Sequence, residues 1–166
     1  MTQADTTSPA DRERFMRHVI QRAKETAEAG AGGVFAAVVV KDGKIVGEGV
    51  NRVVAEHDPT WHGEMAAIRD ACRNLGTHDL SGAELYTAGE CCAMCYAASW
   101  WARIRTIYYA ATYADARKYG DFDDDVIYQA LLQPNEERKL PCYQILREEL
   151  IPAWEAFAAN PNRARY

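Results

Sequence analysis

Two short stretches constrain this chain more tightly than any other feature: "TWHGEMAAIR" at residues 60–69 and "GECCAMC" at residues 89–95, each following an extended segment and each opening a helix. In the first, His62 and Glu64 stand two residues apart just after Asp58-Pro59, where neither suits a core. A carboxylate in a first helical turn is ordinary, because the macrodipole favours it. The thiols at the head of the second helix change the reading. Backbone N–H groups and the positive end of a helix dipole favour thiolate over thiol. A fold that turns both helix heads toward one point therefore assembles an imidazole, thiolates and a carboxylate there.

The surrounding pattern supplies such a fold. Residues 9 to about 29 read as a helix with Phe15, Val19, Ile20, Ala23 and Ala27 on one side, closed by Gly30, Gly32 and Gly33. "VFAAVVVKDGKIVGEGV" reads as two strands joined at Lys41-Asp42-Gly43-Lys44, with Asp-Gly as the hairpin signal. Thr60 is the expected cap of the helix that carries His62 and Glu64, which runs to about Leu75 before Gly76. "AELYTA" is a short strand, "CCAMCYAASWWAR" a helical segment and "IRTIYYAAT" another strand, an order that implies a parallel crossover. Further on, "DDVIYQALL" is expected to be helical, "PCYQIL" a last strand and "IPAWEAFAA" a last helix. Helices packed on a mixed sheet follow, the first strands antiparallel and the later ones joined through helices.

A length of 166 residues with 48% hydrophobic content suits one domain. The five cysteines, Cys72, Cys91, Cys92, Cys95 and Cys142, are odd in number, and three crowd into five positions. That is an awkward disulfide framework and fits a reducing cytoplasm. The start "MTQADTTSPADRER" lacks a basic segment followed by an apolar run, and no run of about eighteen apolar residues occurs, so neither export nor a membrane is expected. A formal charge of -5, with an acidic "GDFDDD" at residues 120–125, argues against a large nucleic-acid footprint.

One imidazole and two thiolates make a three-ligand zinc site, the arrangement of catalytic zinc, whose fourth position takes a water with its pKa brought down to about 7. Glu64, beside His62, is placed to accept that water's proton. Either Cys91 or Cys92 can pair with Cys95 on a helix face, at four or three residues' spacing. H-x-E followed roughly thirty residues later by C-x-x-C is the signature of the zinc-dependent nucleobase deaminases. Alone, C-x-x-C would also suit a redox dithiol or half of a zinc ribbon.

The segments "DPTWHGEMAAIRDACRNLG", "LYTAGECCAMCYAASWWARI" and "FDDDVIYQALLQPNEERKLPCYQ" resemble the bacterial guanine deaminases of the cytidine-deaminase-like fold, over nearly the whole chain. The resemblance implies a three-layer α/β/α architecture, a mixed five-stranded sheet with helices on both faces. Residues 1–8 are expected to be disordered and 9–159 to form one zinc-dependent deaminase domain, and the resemblance implies a homodimer whose subunits exchange C-terminal segments, here the tail at 160–166. The implied reaction is hydrolysis of the free nucleobase guanine to xanthine and ammonia, with one zinc ion per chain. Carried over by motif position, His62, Cys92 and Cys95 are the zinc ligands and Glu64 is the proton shuttle. Asn51 in "GVNR", Asp124 in "FDDD" and the terminal Tyr166 are implied contacts to the base, with Phe35 or Trp101 as a stacking face and Gly63 beside the pocket. The family's motif reads Glu-Pro-Cys-x-x-Cys, which selects Cys92 as the ligand and puts Cys91 where proline is usual. The chain also departs from the family with Val34 for a proline, Ala36 for a glycine and Gly63 for an alanine.

Without the resemblance, Asn51 reads as a turn residue and Asp124 as a solvated or helix-capping acid. His18, His57 and His78 read as surface or capping residues, and Cys72 and Cys142 as small core residues. One of Trp100 and Trp101 is expected in the core and the other at the pocket or a dimer interface. Two alternatives stand beside guanine deamination. One is the same chemistry on another amino-heterocycle (cytosine, a triazine, a pterin) or on tRNA adenosine. The other is a structural-zinc or redox binding module, which gives Glu64 no role beside His62.

Overall fold

Helix α1 (Pro9–Glu28) begins where the Ser8 hydroxyl accepts the Asp11 amide at 3.1 Å, with Pro9 in the first turn, where its missing N–H costs nothing. Its buried Phe15, Val19 and Ala23 meet Ala36, Val38 and Val40 of strand β1 (Ala36–Lys41), together with Tyr86. The intervening Ala37 and Val39 point to the opposite face, as strand geometry requires. Cover on both faces explains why "AAVVV" is continuously apolar instead of alternating. Asp42 and Gly43, at φ 51° and 72°, return the chain into strand β2 (Lys44–Val50), antiparallel to β1. Two consecutive left-handed residues are what a two-residue hairpin turn demands.

The structure, a computed structural model, describes residues 7–30 and 32–165, in two units that part between Asp124 and Asp125. In the first unit, a short helix α2 (Val53–Glu56) precedes helix α3 (Gly63–Leu75), which ends in a left-handed Gly76. Strand β3 (Glu84–Gly89), helix α4 (Ala93–Trp101) and strand β4 (Thr106–Ala111) form the expected parallel crossover. Strand β1 pairs antiparallel with β3 as well, giving the order β2-β1-β3-β4. Among the described residues the sheet therefore has four strands, not the five expected. Helix α1 covers one face; Ala67, Ile68 and Ala71 of α3 and Cys95 of α4 cover the other. Helix α5 (Tyr113–Gly120) follows, opened by a reciprocal capping box between Thr112 and Asp115.

Helix α3 lies close on the sheet because β2 presents glycines to it. A Cβ on Gly49 would stand 2.4 Å from the Ala67 amide nitrogen and the Gly63 carbonyl oxygen, and one on Gly47 2.4 Å from the Ala67 oxygen and the Ala71 nitrogen. The same helix finishes the free edge of β2. The outward amide of Glu48 donates to Asp70 Oδ2 at 3.1 Å, and the Val46 carbonyl accepts from Asn74 Nδ2 at 2.9 Å.

Thr60 does not cap α3. Asp58 Oδ1 accepts from both the amide and the hydroxyl of Thr60, at 2.8 and 2.7 Å, which ties Thr60 into a tight turn ahead of the helix, and its hydroxyl oxygen accepts from Arg69 Nη2 at 3.2 Å instead of from a helix amide. The helix starts later, with His62 at the capping position and no side-chain cap bond. Its imidazole is left to point elsewhere.

In the second unit, helix α6 (Asp125–Leu131) and a 3₁₀ turn (Asn135–Glu137) lead to helix α7 (Arg147–Ala159). "PCYQIL" is not a strand: Pro141 has no N–H to donate, and among the described residues no strand follows Ala111 to pair with it. Helix α7 begins at Arg147, one turn before the expected start. Of the expected disordered stretch, Thr7 is buried and Ser8 caps α1, while residues 1–6 and the terminal Tyr166 lie outside the described residues. Trp100 and Trp101 are both exposed, at 72% and 62%, so neither is core, because α4 turns its small residues to the sheet; Cys142 is exposed as well. No helix among the described residues is long and apolar enough to cross a membrane.

Candidate active site

The heads of α3 and α4 meet at the C-terminal end of β3, the end at which open α/β sheets bind ligands. The loop into α4 is pinned at several points. The Glu90 amide donates to the Ala111 carbonyl at 2.8 Å, the Glu90 carboxylate accepts the Tyr113 amide at 3.2 Å, and the Tyr113 hydroxyl donates to the Cys91 carbonyl. The capping position of α4 is Cys92, as that of α3 is His62.

His62 Nδ1 lies 3.6 Å from Cys92 Sγ and 3.5 Å from Cys95 Sγ, and the three donor atoms fall within 4.8 Å of one another. Zinc bonds of about 2.0 Å to nitrogen and 2.3 Å to sulfur, at a tetrahedral angle, would put nitrogen and sulfur about 3.5 Å apart. The donor set fits zinc in chemistry and in spacing. Among the described residues no other group of His, Cys, Asp or Glu converges in this way.

Charge is unevenly shared in the trio. Hydrogen bonds from Cys95 and His62, against the opposing effect of burial, hold the Cys92 thiol down to about 4. The Cys92 hydrogen bond raises His62, and the neighbouring Cys92 together with burial pushes Cys95 up. The helix-head location favours a thiolate at Cys92 in the same sense. Cys91 is pushed up, first by burial and then by the Glu64 charge, and stays a thiol.

Glu64, 5% exposed, is raised chiefly by burial, while its own amide and the Thr87 hydroxyl oppose the shift. Thr87 Oγ1 donates to Oε1 at 3.1 Å, and the other oxygen, Oε2, lies 3.5 Å from Cys95 Sγ. The carboxylate thus stands at the rim of the trio without belonging to it.

Several of the remaining expected residues gather around this point. The Asn51 amide donates to the Phe35 carbonyl at 2.9 Å, and Asn51 Oδ1 accepts from the Val53 amide at 3.2 Å, so the Asn51 side chain is held by the head of α2. Gly63 is buried against β1: a Cβ there would stand 3.1 Å from the Phe35 oxygen and from Ala36 Cα. The Phe35 ring packs edge-on against Phe122 at 5.2 Å, two residues before Asp124. Asp124 is raised by burial and then by Cys92, and lowered by His62, which places its carboxyl within electrostatic reach of the ligands. Trp101 sits at the opposite end of α4 from Cys92, roughly 13 Å along the axis, and does not join them on its own chain. The sequence reading missed Thr87. The signal was a lone polar side chain on the Leu85 and Thr87 face of a strand whose apolar face packs on α3.

Residues 9–111 match the family described as the cytidine and deoxycytidylate deaminase zinc-binding region. The chain is 47% identical over 149 residues to the guanine deaminase of Bacillus subtilis, covering 88% of this chain and 95% of that protein. It is 41% identical over 102 residues to a tRNA-specific adenosine deaminase of Agrobacterium fabrum, covering 61% of this chain and 66% of the relative. The X-ray structure of the Bacillus subtilis guanine deaminase superposes with a TM-score of 0.87 at 44% identity, over 93% of this chain and 98% of that one.

Proposed function

The chain belongs to the cytidine and deoxycytidylate deaminase zinc-binding family, and from that premise we propose that it hydrolyses guanine to xanthine and ammonia, with His62, Cys92 and Cys95 holding one zinc ion. The observation that carries the reading is the convergence of these three donors with Glu64 Oε2 at their rim. Likeness to the guanine deaminase over most of the chain supports guanine over other bases.

Zinc held by the trio lowers the pKa of a water toward about 7 and so supplies a nucleophile at neutral pH. Glu64 carries the protons. It takes one from the attacking water and passes it to a ring nitrogen as the oxygen adds to C2; it then takes the proton of the added hydroxyl and gives it to the amine, so that C2=O forms as the C2–N bond breaks and ammonia departs. Asn51 and Asp124 read the base edge: the Asn51 NH₂ donates, since its Oδ1 is engaged at α2, and Asp124 accepts from the base. The Phe35 ring offers the stacking face.

A homodimer with exchanged C-terminal segments belongs to the same proposal. The exposed aromatics Tyr96, Trp100 and Trp101 on α4 support it, as do exposed Leu132, Leu140, Ile145 and Trp154 in residues 125–165, an apolar load unusual for a monomer. In this reading Trp101 faces the partner and Tyr166 covers the partner's pocket. Light scattering should report a dimer; a monomer with full activity would overturn that part.

The test of function is ammonia release from a panel of free bases with tRNA as control. Guanine should lead the panel, and Glu64→Gln should keep its zinc while turnover falls about 10²- to 10⁴-fold. A zinc-replete Glu64→Gln protein that still releases ammonia at the parent rate would remove Glu64 from the chemistry. A protein that deaminates adenosine in tRNA and leaves guanine untouched would replace the substrate.

A further inference from the structure

A proton shuttle with two equivalent oxygens works only if the proton rides on the oxygen that faces the reactants. In Glu64 the two oxygens are not equivalent: Oε1 accepts the Thr87 hydroxyl at 3.1 Å, whereas Oε2 lies on the side of the ligand trio, 3.5 Å from Cys95 Sγ. Thr87 is 1% exposed, on the strand paired with Ala37 of β1, so its side chain is held in place by the sheet. The thiols of Cys91 and Cys95 also reach this carboxylate. A thiol is a weak donor, and Cys95 as a metal-bound thiolate has no proton to give. The hydroxyl of Thr87 is the strong side-chain donor that remains.

We propose that Thr87 is a positioning residue for Glu64: by donating to Oε1 it keeps that oxygen an acceptor and directs the transferred proton onto Oε2. The water O–H bond breaks as the Oε2–H bond forms, and Oε2–H breaks as the ring N–H forms, so the carboxylate is regenerated while the bond from Thr87 stays in place. The same bond holds the carboxylate plane against rotation. This rests on the deaminase reading above.

The experiment compares Thr87→Val, which keeps the shape and removes the donor, with Thr87→Ser, which keeps the donor and removes a methyl. Zinc content, melting temperature, kcat and KM are measured on the zinc-loaded enzyme, together with crystal structures of the variants. Thr87→Val should lower kcat about 10- to 100-fold with KM within about twofold and zinc retained, and its Glu64 side chain should occupy more than one rotamer. Thr87→Ser should recover kcat to within about threefold and restore the single rotamer. Where Thr87→Val does not fold, Thr87→Ala, which cannot overpack, is read against Thr87→Ser in the same way. A kcat unchanged in Thr87→Val, or an equal loss in Val and Ser variants, makes Thr87 a packing residue only and overturns the proposal. Ratios are taken on whichever base the parent protein turns over. An inert parent with guanine therefore counts against the substrate, whereas a fixed Glu64 rotamer in Thr87→Val counts against Thr87.

Discussion

Replacing Gly49 by alanine should separate the seating of α3 from every other property of the protein. The added Cβ would stand 2.4 Å from the Ala67 nitrogen and the Gly63 oxygen and 2.6 Å from Ala66 Cβ, where ordinary contact begins at 3.4 Å. Two of these three atoms are backbone and cannot swing aside, so the first turns of α3 must rise about 1 Å from the sheet. Overpacking of this kind costs about 1–3 kcal/mol, which for a chain of this size lowers Tm by about 2–12 °C. The larger effect should be on chemistry. Gly63 lies between His62 and Glu64, so lifting it displaces both against Cys92 and Cys95 on α4, and a misplacement of about 1 Å can cost about 10²-fold in rate. Gly47→Ala is the matched control. Its Cβ presses on the Ala67 oxygen and the Ala71 nitrogen, farther from the helix head. It should lower Tm comparably and kcat/KM much less. Thermal melts, elemental zinc analysis and guanine turnover on both variants decide the matter. If Gly49→Ala melts within about 1 °C of the parent with zinc and turnover intact, backbone-to-backbone seating does not aim the helix head. If Gly47→Ala loses as much activity, the loss is global.

Two other outcomes test the ligand assignment and the approach to α3. Cys91→Ser should keep about one zinc per chain and Cys92→Ser should lose most of it by elemental analysis; the reverse would shift the ligand register by one residue. The hydroxyl and amide of Thr60 hold the Asp58 carboxyl below its ordinary 3.8. A group depressed in the folded state contributes stability that is present above the unfolded value and is lost as pH falls through the folded one. With metal chelated in both proteins, Asp58→Asn should therefore flatten the fall of Tm between about pH 5 and pH 2, and an unchanged acid limb would show that the Asp58 turn is not coupled to folding.

What could be read from sequence depended on how local the physics was. The hairpin was legible because Asp42-Gly43 meets a backbone demand set by two residues alone, and α1 because Pro9 and a single apolar face agree, the Ser8 cap being added by the structure. The metal site was legible because few side chains bind zinc and their spacing places them on helix heads, although spacing left Cys91 and Cys92 open and only the resemblance selected Cys92. Thr60 failed as a cap for a local reason too, since its turn with Asp58 keeps the chain out of the helix until His62. "PCYQIL" has strand-like composition but pairs with no strand among the described residues, and pairing is a property of the sheet. Thr87 was missed because "AELYTA" was read only as a short strand; alternation there puts Thr87 on the face of Leu85, but that Glu64 lies across from it depends on how closely α3 is seated. The tryptophan of α4 expected in the core was misjudged for a like reason: periodicity ranks helix faces without saying whether the same chain covers them.

The side chains with which α3 finishes the β2 edge make this helix a guard as well as a platform. Asp70 and Asn74 take up the outward amide of Glu48 and the carbonyl of Val46, groups that would otherwise template a strand from another molecule. Catalytic aim and protection from aggregation are thus carried by one rigid body. A lesion that loosens α3 uncovers a sticky strand as it misplaces His62 and Glu64, so variants damaged there should be lost to precipitation in the same step in which they lose turnover, while lesions on α1 would leave the edge sealed.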